Sequence, residues 1–146
     1  MLSAREMRVL YHLRTDARKS LTAIAKAESI PVATVYDIVL RLQSNGIIHK
    51  LVTIPDYTEL GFPIRVVFGL FAKDKQQLLH WLSDHANVNN LHKVTHYDAF
   101  VETYFSSFKH LEQFKEDLQH HITDMEEFMI LEELKHEGAM FPPADQ

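Results

Sequence analysis

The stretch IRVVFGLFA at positions 64–72 constrains the fold more than any other part of the chain. Its length suits one β-strand, and its branched and aromatic residues favour extended backbone. A strand with one face in water alternates apolar and polar residues; this one runs nearly unbroken, so both of its faces require cover. The elements after it alternate. Lys75 to His85 reads as a helix with Leu78, Leu79 and Leu82 inward, and Val88 to Thr95 as a weak strand. Ala99 to Phe105 reads as a stronger strand, set off by Tyr97-Asp98. Phe108, Leu111, Phe114 and Leu118 mark a second helix, and Met125 to Leu134 a closing strand. The order β-α-β-β-α-β predicts an α+β fold of ferredoxin-like type, with two helices on one face of an antiparallel sheet. Its other face is then bare. The chain has 146 residues and little left to cover that face, whereas a second copy of the sheet would do so. The expectation is a two-fold homodimer or an assembly of dimers.

The first fifty residues follow another pattern. Ser3-Ala4-Arg5-Glu6 is a capping box, and behind it Met7, Leu10 and Leu13 form a stripe on a helix to about Thr15. Ser20 caps a second helix that buries Leu21, Ile24 and Ala25. Glu28-Ser29-Ile30-Pro31 is a brief turn, with Pro suited to a helix start. A third helix follows, with Val35, Val39 and Leu42 inward and Asn45-Gly46 as its stop. Three short helices with a tight second turn are the pattern of a helix-turn-helix. Residues 47 to 54, IIHKLVTI, read as extended chain before Pro55-Asp56 and place a β wing beside the third helix. The expected organisation is a winged helix-turn-helix over 1–54, a linker over 55–63 and the ferredoxin-like domain over 64–141. Residues 142–146 form a frayed tail.

The distribution of charge separates the halves. Residues 1–50 carry eight Lys/Arg and four Asp/Glu, whereas residues 51–146 carry seven and sixteen. The net charge of −5 therefore hides a basic first domain, and only that domain suits a phosphate backbone. Cysteine is absent, which excludes disulfides, thiolate zinc sites and a cysteine nucleophile. The opening MLSAREMRVLYHL has no signal-peptide core, and no apolar run approaches a membrane span, so a cytoplasmic protein without membrane contact is expected.

The segments DARKSLTAIAKAESIPVATVYDIVLRLQSNGIIHK, DYTELGFPIRVVFGLFA and VNNLHKVTHYDAFVETYF carry a resemblance. Together they resemble the Lrp/AsnC family, the leucine-responsive and asparagine-operon, or feast/famine, transcription regulators. The phrase from Leu42 to Ile48, followed by Leu60-Gly61, is the more specific part, and the stretch Ile130 to Lys135 is similar to archaeal members. The resemblance implies a winged helix-turn-helix joined to a RAM-type domain. It also implies double-stranded DNA as partner, dimers or assemblies of dimers, and in many members an amino-acid effector. Ser20 and Thr22 match family positions that contact phosphates. Ala33, Thr34, Tyr36, Asp37 and Arg41 match the outward side of the recognition helix, with Arg41 suited to guanine or phosphate. Lys50 matches a wing position that reaches the backbone. Where many members carry consecutive basic residues in this helix, the chain has Asp37-Ile38 and Leu40, which leaves Arg41 as its one cation. The effector turn maps onto Thr95, His96, Tyr97 and Asp98, with His96 in place of the usual glycine; its side chain narrows any pocket there.

Two other classes of function fit parts of the chain. Siroheme decarboxylases are similar in fold and would use residues near His92 and His96, but no arginine follows Arg65 to hold a polycarboxylate. A hetero-dimerising co-regulator without strong DNA binding would account for apolar Ile38 and Leu40 in the recognition helix. Of the ten histidines, His110, His120 and His121 have no metal-ligand spacing and no Cys partner. No enzyme, metal or cofactor is expected.

Overall fold

The computed structural model describes residues 1–138 and Met140. It divides into a first unit of residues 1–54, joined by the described residues from Lys135, and a second unit of residues 55–134. The second domain was expected to run to 141. Instead, the segment after Leu134 groups with the first unit, where Glu137 accepts a 2.6 Å hydrogen bond from Arg14. The expected tail over 142–146 lies outside the described residues.

The first unit consists of α1 (Ala4–Thr15), α2 (Leu21–Glu28) and α3 (Val32–Ser44). The capping box forms in both directions: the Glu6 amide donates to Ser3 Oγ, and the Ser3 amide donates to the Glu6 carboxylate. Ser20 caps α2 by accepting from the Ala23 amide at 3.1 Å. The chain leaves α2 through Ser29 in the left-handed region and leaves α3 through Gly46 at φ 68°. The core consists of Val9, Leu13, Ile24, Ala25, Val35, Ile38 and Leu42. The buried set differs from the periodicity expectation, with Met7, Leu10 and Leu21 only half-buried. Val9 is fully buried, and Ile38 takes the core place expected for Val39, which is only half-buried. Spacings of 35, 39, 42 and 35, 38, 42 both describe one helical stripe, and packing against α1 and α2 selects the second.

The wing does not form. The amides of Ile47 and Ile48 both donate back to Leu42 O, closing α3, and residues 49–56 have no regular secondary structure. Extended backbone becomes a strand only where a neighbour accepts and donates along it, and the described residues of this unit include no strand.

The second unit has the order β1 (Ile64–Ala72), α4 (Lys75–Asp84), β2 (Val88–His92), β3 (Ala99–Phe105), α5 (Phe108–Leu118) and β4 (Ile122–Met129). The four strands form one antiparallel sheet in the order β2-β3-β1-β4, with the apolar run at its centre. Val66, Phe68 and Leu70 of β1 pack with Ala99, Val101 and Phe105 of β3 beneath Leu78 and Leu82 of α4 and Leu111, Phe114 and Leu118 of α5. The α+β expectation holds. The closing strand begins earlier and ends earlier than expected, because its register is set by β1: Ala72 pairs with Ile122 and Val66 with Met129. The Ile130 amide donates to Arg65 O, and β1 supplies no further partner beyond that bond. β2 likewise stops at His92, paired with Phe100, rather than at Thr95.

Alternation along the central strands leaves Val67, Phe100, Glu102 and Tyr104 on the face away from the helices, with Phe128 beside Val67. The same chain covers part of this face after all. Tyr57 stacks on Tyr104 with ring centroids 4.0 Å apart, and Tyr97 lies over Gly69. Val67 remains half-buried and Phe128 exposed.

Candidate nucleic-acid interface

Helix α3 sorts its residues cleanly. Val35, Ile38 and Leu42 turn inward, while Ala33, Tyr36, Asp37, Leu40 and Arg41 are exposed. Thr34, expected on the outer side, is half-buried. The row Tyr36, Leu40, Ser44 at i, i+4 spacing also faces solvent. Leu40 therefore belongs to the outer face and Ile38 to the core; of the two apolar departures from the family pattern, only Leu40 faces outward.

Arg41 is not free to point anywhere. Its Nη2 lies 3.4 Å from Glu6 Oε1 of α1. The other carboxylate oxygen of Glu6 accepts from the Ser3 amide at 2.8 Å and from Ser3 Oγ at 3.0 Å. The backbone bond from Ser3, then its hydroxyl, holds the Glu6 carboxyl below its ordinary range, with Arg41 adding to the effect. The guanidinium thus leans on a fixed anion and still has 60% of its side chain exposed.

At the start of α2, Ser20 and Thr22 are exposed. The Ser20 hydroxyl is engaged with the Ala23 amide, so its contribution here is to complete the helix start. Lys50 is exposed in the irregular segment after α3.

The expected effector residues lie together in the turn before β3, but the polar groups of Tyr97 and Asp98 already have partners. The Asp98 carboxylate accepts from the Ala72 amide at 2.8 Å and from Lys75 Nζ at 2.9 Å. Lys75 first, and the backbone bond second, hold that carboxyl below its ordinary range. Tyr97 donates its hydroxyl to Glu126, and this bond raises the phenol above its ordinary value. A Cβ added to Gly69 would lie 2.5 Å from Tyr97 Cζ, so only glycine leaves room for the ring. His96 meets Tyr97 edge to face at 4.6 Å and Phe71 at 5.7 Å, and Thr95 is exposed. The Tyr97 plug was not legible from the sequence, because it joins residues far apart along the chain.

His92 is exposed on β2. Arg65 is spent on ion pairs with Glu102 and Glu133. No group of three or more metal-ligating side chains comes together among the described residues. No helix among them is long and apolar enough to cross a membrane.

No family model matches the chain. An uncharacterised HTH-type transcriptional regulator of Pyrococcus furiosus is 28% identical over 117 residues, spanning 78% of this chain and 79% of the relative. Among solved structures, LrpC of B. subtilis superimposes with a TM-score of 0.87 at 17% identity, covering 92% of this chain and 98% of that one. A transcriptional regulator of Neisseria meningitidis in complex with L-Met superimposes with a TM-score of 0.86 at 14% identity, covering 93% and 94%. The chain therefore has the fold of the Lrp/AsnC regulators, and in sequence it is similar to archaeal HTH-type transcriptional regulators.

Proposed function

We propose that the chain is a sequence-specific DNA-binding transcription regulator of Lrp/AsnC type, a helix-turn-helix unit followed by a ferredoxin-like RAM-type domain. The observation that carries this reading is the sorting of α3: an aliphatic ridge buried against α1 and α2, and the opposite ridge, with Tyr36, Asp37 and Arg41, exposed. A helix of 13 residues held this way presents its outer face to a major groove. The basic balance of the first fifty residues supplies attraction to phosphates, and the exposure of Ser20, Thr22 and Lys50 supports them as backbone contacts.

The bare sheet face supports a two-fold dimer as the working form. Val67, Phe100 and Phe128 offer an apolar surface that one chain leaves incompletely covered. A dimer places two α3 helices on successive turns of a palindromic site. For the effector, the Neisseria regulator is in complex with L-Met, whereas here the Tyr97 ring and the engaged Asp98 fill the turn that the resemblance assigns to an effector. A small metabolite enters only if Tyr97 moves.

A salt-dependent gel shift on the chain's own upstream region tests the reading. The wild-type chain is expected to bind, more weakly as salt rises, and Arg41→Ala to weaken binding about tenfold. An unchanged shift in that variant removes α3 from the interface, and no shift at any salt removes the function.

A further inference from the structure

Three charged side chains and one imidazole interlock between α1 and α2, with Glu28 at the end of α2 and Lys19 just before its start. Glu28 receives Arg8 Nε at 2.6 Å on one carboxylate oxygen and His12 Nε2 at 2.7 Å on the other. On the opposite side of the ring, Lys19 Nζ lies 2.9 Å from His12 Nδ1. The backbone brings Lys19 there, its amide donating to Asp16 O at 3.0 Å. The chemistry of this chain of contacts allows one arrangement. An ammonium has only protons to give, so Nδ1 must be the bare nitrogen, and Nε2 carries the proton donated to Glu28. Burial works against the Glu28 carboxylate, but the bonds from His12 and Arg8 outweigh it and hold the group below its ordinary range. Glu28 is therefore held as an anion, and Lys19 is a cation that leans on a neutral ring. The remaining charges near this corner are committed elsewhere or face outward. Glu137 takes Arg14, Glu6 pairs with Arg41, Asp16 accepts from the Arg18 amide, and Arg5, Arg18, Lys26 and Asp37 are exposed.

A proton on Nδ1 and the bond from Lys19 cannot coexist. Protonated, the ring keeps Glu28 and turns an N–H toward an ammonium 2.9 Å away, so Lys19 must leave. Lys19 immediately precedes Ser20, the cap of α2, where the helix start faces the phosphate backbone in the reading above. We propose that Lys19 is a DNA phosphate contact held in reserve by neutral His12, and that protonation of His12 releases it to the backbone. The inference rests on the DNA-binding reading and adds to it a proton-coupled contact. Coupling is reciprocal: a phosphate that draws Lys19 away favours the proton on His12 by the same factor.

The test is fluorescence anisotropy of a fluorescein-labelled duplex from the chain's own upstream region, at about pH 8 and about pH 6 over a range of salt. General charging of the histidines also raises affinity at low pH, so the readout is the difference between variants. His12→Gln keeps an acceptor and a donor without titrating, and Lys19→Ala removes the contact while leaving Arg8, His12 and Glu28 in place. Wild type is expected to bind more tightly at the lower pH, with a salt slope steeper there by about 0.9 per protomer. Both variants lose that extra slope and most of the gain, and Lys19→Ala binds like wild type at the higher pH. A Lys19→Ala loss of equal factor at both pH values, or a His12→Gln protein that keeps the wild-type gain, overturns the proposal while DNA binding stands. A wild-type chain that binds no duplex at either pH overturns both.

Discussion

The Tyr97 ring lies over Gly69, so close that a methyl at position 69 would meet its Cζ at 2.5 Å. Gly69 is on the central strand, opposite Phe100 on one side and Glu126 on the other, and Glu126 accepts the Tyr97 hydroxyl. The strand, the turn before β3 and β4 are thereby tied at one point. Gly69→Ala is expected to displace the ring, with a loss of about 1–3 kcal/mol typical of an overpacked site. Thermal unfolding with near-ultraviolet circular dichroism reads both effects. A variant with unaltered Tm and tyrosine signal would show that the ring does not depend on this glycine.

Ile38 and Leu40 stand two residues apart and differ in kind. Ile38 is 2% exposed and Leu40 is 45% exposed. Ile38→Ala is expected to cost about 2–5 kcal/mol, as truncation of a core aliphatic does. Leu40→Ala is expected to stay within about 0.5 kcal/mol. Denaturant midpoints of the two variants measure the contrast, and similar losses at both positions would contradict the assignment of faces on α3.

The dimer reading rests on the face carrying Val67 and Phe128. Val67→Asp with Phe128→Asp is expected to halve the mass in analytical ultracentrifugation without loss of helical signal. A doubly substituted protein with wild-type mass would place the interface elsewhere.

Glu28 also makes a prediction about acid. Its folded pKa is depressed, because the bonds from His12 and Arg8 outweigh burial. A carboxylate of this kind contributes stability that is fully present above the unfolded pKa, about 4.3, and lost as pH falls through the folded value. Glu28→Gln is therefore expected to flatten the acid limb of the stability curve below about pH 5, and to cost about 1–3 kcal/mol at neutral pH through its lost charged hydrogen bonds. Urea melts across that range decide it; a variant that keeps the wild-type acid limb contradicts the network.

The sequence was informative where one residue pattern decides one structure. IRVVFGLFA announces a central strand, Ser3 to Glu6 a helix start, and Asn45-Gly46 a helix end, because each depends on local chemistry. It was less informative where partners are distant. The segment Ile47 to Ile54 has the composition of a strand and forms none, since extended propensity does not supply a hydrogen-bonding neighbour. Ile38 and Val39 satisfy the same periodicity, and only the packing of α1 and α2 chooses between them. Arg41 was legible as an exposed cation, but its lean toward Glu6 was not. The same holds for Lys19, His12 and Glu28, which come from three places along the first unit and acquire meaning only when folded together.

Hydroxyl-radical footprinting of the upstream region tests the central claim most directly, because it reports where the chain sits on a duplex. The account predicts two protected patches centred about 10 base pairs apart or a multiple of that, both lost in Arg41→Ala. Uniform cleavage at saturating protein, or a footprint that Arg41→Ala leaves intact, would contradict the assignment of α3 as the reading helix.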